Sequence, residues 1–161
     1  MRGRKRGMKG KACACVALTL MILAAAGLGS AEGGQIVVLP DETHTVLIPQ
    51  DMTYQAPGPD ETDLRAIYLM EPDLEMLIFA YEAGDMTLQE LAEVLTAAGR
   101  TAEIRTIGDT EFIVFQDRDE ADGAPCVGYS YLSGDRMIEI SFFYSSQAAM
   151  DLTEIIMESF R

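Results

Sequence analysis

Four short β-rich runs joined by tight turns constrain this chain more than any other feature. "AEIRTI" and "TEFIVFQ" flank Gly108 and Asp109, and "APCVGYSYL" and "RMIEISFFY" flank "SGD" at 133–135. Glycine in so short a connection supplies the positive φ of a primed hairpin turn. Residues 102–144 therefore predict an antiparallel meander, with the acidic stretch "DRDEADG" inside "FQDRDEADGAP" (115–125) as its middle turn. Alternation divides the last run into two faces. Ile138, Ile140, Phe142 and Tyr144 share one, and Met137, Glu139, Ser141 and Phe143 share the other. Both faces carry apolar side chains, so the sheet is expected to be covered, at least in part, on both sides.

Helix punctuation brackets the meander. In "GDMTLQELAEVLTAAGR", Thr87 reads as an N-cap, Glu90 three residues on completes a capping box, and Gly99 is the stop. Leu88, Leu91, Val94, Leu95 and Ala98 recur at helical spacing. The chain ends in a second amphipathic helix opened by Ser145 or Ser146. Ala149, Leu152, Ile155, Ile156 and Phe160 form its apolar stripe, and Asp151, Glu154 and Glu158 its polar one. Upstream, "QIVVLP" and "HTVLIP" read as a hairpin, and "LRAIYLM" and "LEMLIFAYE" as strands joined at "EPD". "QDMTYQAPGPDETD" (50–63) reads as a loop.

The N-terminus predicts export. Six basic residues lie within the first eleven, an uncharged run follows at 12–28, and small residues close the segment at "GSAEGG". That is the pattern of a secretory signal peptide, with cleavage expected after Ala31, leaving a single α+β domain at 32–161. The rival reading, an uncleaved anchor, needs a span at the short limit for a bilayer. Removing 1–31 leaves six basic residues, all arginine, against 26 acids, a net charge of −20. Such a domain repels nucleic acid and anionic membrane surfaces and makes no stable membrane insertion. Its expected partners are cationic: a basic protein, a peptide or an envelope polymer. The bland alternative is charge for solubility alone. Cys126 is the one cysteine left, so no internal disulfide forms. Its apolar surroundings predict a buried, inert thiol.

The order of these elements resembles the PsbP-like family of small secreted or lipid-anchored bacterial proteins. A hairpin ends in "VLIPQDM", a capped helix follows at "TLQELAEVL", then a meander with "IGDTEFIVFQ", then a helix closing on "IIMESFR". The resemblance implies an α-β-α sandwich: an antiparallel β-sheet with amphipathic helices on both faces. "PGPD" stands where the family leads one to expect an early helix. The resemblance also implies a binding or assembly role rather than catalysis, and it transfers no site residue.

The chemistry of the residues points the same way. An EF-hand loop begun at Asp117 has an acid at its third position, Asp119. It has Ala121 at the fifth, Asp122 where glycine belongs and Gly128 where glutamate belongs, so it fails at three of five points. If the chain gathers a cation, Asp117, Asp119 and Asp122 are the candidates; otherwise the stretch is a solvated hairpin tip. His44 is the single histidine, and it lies in the turn-like "PDETHT", which argues against zinc and against a cysteine–histidine nucleophile. No nucleophile elbow or phosphate loop appears, and no lysine survives cleavage to form a Schiff base. The aromatic residues Tyr129, Tyr131, Phe142, Phe143 and Tyr144 read as core and cross-strand pairs. No catalytic residue and no cofactor are expected. The sequence predicts a secreted, acidic, non-catalytic binding module with a protein or cell-envelope partner. The alternatives are a calcium- or cation-binding module and, more distantly, a small carboxylate-dependent hydrolase.

Overall fold

The computed structural model describes residues 33–118 and 123–161. The expected signal segment therefore lies outside the described residues. Among the described residues, nine strands and two helices are arranged as an α+β fold dominated by antiparallel sheet. Strands β1 (Gly34–Val38) and β2 (Thr45–Pro49) form a separate two-stranded hairpin. The main sheet holds β3 (Thr53–Gln55), β4 (Leu64–Met70), β5 (Leu74–Glu82), β6 (Thr101–Ile107), β7 (Thr110–Arg118), β8 (Pro125–Ser133) and β9 (Arg136–Tyr144), in the spatial order β3-β4-β5-β9-β8-β7-β6. Helix α1 (Leu88–Ala97) joins β5 to β6, and α2 (Gln147–Glu158) closes the chain.

The meander forms as its turns dictate. Ile107 pairs with Thr110 and Ser133 with Arg136, leaving two-residue connections. Gly108 and Gly134 hold the positive φ of +59° and +64° that these turns require. The meander returns β9 to the middle of the sheet, where it pairs with β5 along nine residues from Leu74↔Tyr144 to Glu82↔Arg136.

Two clusters divide the core by strand alternation. Phe112 and Val114 of β7 join Val127, Tyr129, Tyr131, Ile138, Ile140 and Phe142 in the larger one. It takes in Ala149, Ile156, Met157 and Phe160 from the C-terminal end, and Val37, Leu39, Val46 and Ile48 from the hairpin. Ile113 and Phe115, the alternate residues of β7, cluster instead with Leu95 of α1 and the half-buried Leu88, Leu91 and Ala92.

Three local expectations are corrected. Residues 53–55, placed in a loop by their composition, form strand β3. It adds to β4, and Tyr54 packs on Tyr68 at 5.6 Å between ring centroids. Val94 of α1 is 57% exposed and Ala98 is also exposed, while Ala92 faces the sheet. In α2, Ile155 is 49% exposed, whereas Thr153 and Met157 are buried. Val94 and Ile155 each stand one position before a core residue, about 100° around the helix, which carries them off the buried stripe. Thr153 tolerates burial because its hydroxyl donates to the carbonyl of Met150 at 2.8 Å. The caps match the sequence: Thr87 accepts from the Glu90 amide, Glu90 returns the bond, and Gly99 follows the helix at φ +85°. Ser146 caps α2, and the Ser145 hydroxyl bonds to Asp73.

Candidate functional site

Of the three candidate cation ligands, Asp117 is described, and Asp119 and Asp122 lie outside the described residues. Asp117 sits near the end of β7, opposite Cys126. One of its oxygens is 2.7 Å from an Arg100 guanidinium nitrogen, and the other accepts the Arg118 amide at 2.8 Å. Arg100 also lies over the Phe115 ring, 5.7 Å from its centroid. An entering metal ion would compete with this guanidinium for the carboxylate. Among the described residues, no group of three or more histidines, cysteines or carboxylates is placed to hold a metal ion.

From Asp117 the same side of the sheet continues across β8, β9 and β5. Phe115 is opposite Gly128, and its ring occupies the space a Cβ there would need. Beyond α1, which packs on β6 and β7, the residues Leu77, Phe79, Tyr81, Leu132, Met137 and Phe143 are only half-buried. Glu139 stands among them, directly opposite Phe79 on β5 and Ser130 on β8. The Phe79 and Tyr81 rings stack at 5.8 Å with 7° between their planes.

The electrostatics of this surface follow from burial. Desolvation raises the Glu139 carboxyl above its ordinary value; the Ser141 hydroxyl, the Arg100 charge and Ser130 pull it back incompletely. Ser141 donates to Glu139 at 2.7 Å. Burial, then the Glu139 and Asp63 charges, push the Tyr81 phenol up. Burial, with help from Glu139 and Asp117, pushes the Cys126 thiol up to about 12. The thiol is accordingly buried and poorly nucleophilic, as the sequence predicts. The arrangement offers a carboxylate set in aromatic and aliphatic surface, chemistry suited to holding an ammonium or guanidinium group.

A second polar cluster was not evident from sequence. Asp41, in the connection between β1 and β2, has a buried side chain that accepts bonds from the amides of Thr43 and His44, at 3.2 Å and 3.1 Å. Its other oxygen is 2.5 Å from His44 Nδ1 and accepts the Tyr131 hydroxyl at 2.8 Å. His44 stacks on Phe160 at 4.8 Å and meets Tyr131 edge-on at 5.3 Å. Burial alone would raise the Asp41 carboxyl, but the bonds from His44, Tyr131 and Thr43 together hold it well below the usual carboxylate range. The cluster ties the hairpin to β8 and to the chain's end. Arg161 adds to this tie by exchanging two backbone bonds with Thr45, at 2.9 Å and 3.1 Å.

Comparison of the whole architecture with solved structures decides its class. The solution structure of cyanobacterial PsbP (CyanoP) from Synechocystis sp. PCC 6803 superposes with a TM-score of 0.61 at 15% identity, covering 88% of this chain and 98% of that one. This chain has a PsbP-like fold. A crystal structure from Bacteroides thetaiotaomicron VPI-5482 superposes with a TM-score of 0.58 at 12% identity, over 80% of this chain and 48% of that one. No family model and no curated protein matches the sequence. At these identities the likeness extends to the fold alone. Among the described residues, no helix is long and apolar enough to cross a membrane.

Proposed function

We propose that this chain is an exported, acidic, non-catalytic binding module whose 32–161 domain recognises a cationic protein, peptide or envelope polymer. In this reading the domain is an α-β-α sandwich with α1 and α2 on opposite faces of the sheet. The alternation of β7 between the two core clusters supports that arrangement. The observation that carries the functional reading is Glu139, set among Phe79, Tyr81, Ser130 and Ser141 where α1 leaves the sheet half-open. A lysine or arginine laid there gains an ion pair in partly dry surroundings and an aromatic face at once. It also relieves the cost of keeping Glu139 ionised.

An arginine-rich decapeptide, titrated calorimetrically into the 32–161 domain, tests this reading. Glu139→Gln is compared with Glu158→Gln, an exposed change of equal charge. Glu139→Gln should weaken binding by about tenfold, the worth of one partly buried charged contact. Glu158→Gln should change it far less. Equal losses would leave only non-specific attraction and refute the site. The export claim rests on its own measurement: secreted protein should begin at Glu32, and an intact Met1 on membrane-extracted protein would refute it.

A further inference from the structure

The domain from 32 to 161 holds only six cationic side chains, and most are engaged. Arg100 pairs with Asp117 and Arg105 with Glu103, while Arg118 donates to the Gly123 carbonyl and Arg161 to those of Glu158 and Phe160. Arg65 and Arg136 differ. Neither forms an ion pair with a described carboxylate, although Glu82 faces Arg136 across the ladder, and Arg65 has one long bond of 3.5 Å to the Ala80 carbonyl. These two arginines line the same groove, of about 440 Å³, between the hairpin and β4. Its remaining lining is Val37, Val38, Pro40, Ala66, Tyr68 and Ile78, with no acid. In a 32–161 domain of net charge −20, an apolar groove lined by two guanidiniums outside any ion pair and by no carboxylate is complementary to an anion.

The backbone at the groove's rim is also unpaired. Leu39 N–H donates to His44 at 2.9 Å. Stepping by two along the antiparallel register, Val37↔Val46 and Gln35↔Ile48 are the hydrogen-bonded pairs. The amides and carbonyls of Ile36 and Val38 therefore point away from β2. The equivalent outward amides on β2 are taken: Thr45 donates to Arg161 at 2.9 Å and Leu47 to the Ser159 hydroxyl at 2.7 Å. Among the described residues, strand β1 pairs with β2 alone, and its side chains Ile36 and Val38 are each 60% exposed. An open strand edge of this kind is a template for another strand.

We propose that this groove is a peptide-binding site: an extended peptide adds as a strand to the free edge of β1 and places a carboxylate against Arg65 and Arg136. The edge selects an extended backbone, the floor takes small apolar side chains, and the guanidiniums select Asp, Glu or a free C-terminus. The site is separate from the Glu139 surface and does not depend on it.

The test uses five-residue peptides of alternating valine and threonine with Glu, Gln or Lys at the centre. Each is made with a free or an amidated C-terminus, and binding is read by fluorescence anisotropy. The wild-type domain should favour Glu, a free terminus, or both, over the neutral peptide by about tenfold; comparing the two arms tells which carboxylate is read. Arg65→Gln with Arg136→Gln should abolish that preference. Val38→Pro removes one outward amide, a change edge strands tolerate, and should abolish binding of every peptide while near-ultraviolet circular dichroism stays native. Glu139→Gln should change nothing here. The proposal is overturned if neither a central Glu nor a free C-terminus improves binding over the amidated Gln peptide, if no peptide binds at millimolar concentration, or if Val38→Pro binds as wild type does. It is equally overturned by a dimer that Val38→Pro dissolves, which would assign the edge to a second copy of the chain.

Discussion

Asp41 and Glu139 are carboxylates that burial affects with opposite net results. Asp41 accepts four bonds, and its acidity rises; Glu139 has fewer compensating partners, and its acidity falls. With the folded value below the ordinary 3.8, Asp41 contributes stability above that pH and loses it as pH falls. With the folded value raised above 4.5, Glu139 costs stability as pH rises through it. Thermal melts between about pH 2 and pH 8 should separate them. Asp41→Asn should lower the melting temperature at neutral pH and flatten the acid limb. Glu139→Gln should raise the melting temperature at neutral pH and leave the acid limb intact. Parallel pH profiles for both variants and wild type would contradict these assignments. Gly128 poses a steric case. A Cβ there would lie 2.1 Å from the Phe115 ring, so Gly128→Val must displace that ring and should cost about 1–3 kcal/mol in urea denaturation.

The elements were legible wherever local chemistry decides them. The box at Thr87 and Glu90 needs residues three apart, and the turns at Gly108 and Gly134 need only neighbours; both appear where the sequence puts them. Thr87→Ala should therefore cost about 1 kcal/mol in equilibrium unfolding, and a neutral result would mean that α1 is held by Leu95 and its neighbours alone. Strand β3 was not legible, because three residues beside prolines and acids carry no periodicity and become a strand only through pairing with β4. The polar clusters were hidden for a related reason. Asp41 and Tyr131 are 90 residues apart, and Arg65 and Arg136 reach one groove from β4 and β9, which flank β5 only when the meander folds back on it. Glu139 left a trace, a carboxylate inside an otherwise apolar run, but the half-open surface around it depends on how far α1 extends.

At the scale of the whole molecule, a net charge of −20 on the 32–161 domain sets a negative field into which both proposed recognition surfaces open. That field reaches about 30 Å at 0.01 M salt and about 8 Å at physiological salt. It accelerates a basic partner on its way to the Glu139 surface and slows an acidic peptide on its way to the Arg65 and Arg136 groove. Contacts within each site are closer than the screening length and respond less to salt. Association rates should therefore move in opposite directions as salt rises from about 0.01 M to 0.15 M. The arginine-rich decapeptide should associate more slowly, and the glutamate-bearing strand peptide faster. Stopped-flow fluorescence on the same preparation, with labelled peptides, gives both rates. If the glutamate peptide also slows with salt, the arginine pair governs its approach and the overall field does not reach the groove. If the decapeptide rate is indifferent to salt, the acidic surface has no part in steering and serves solubility alone.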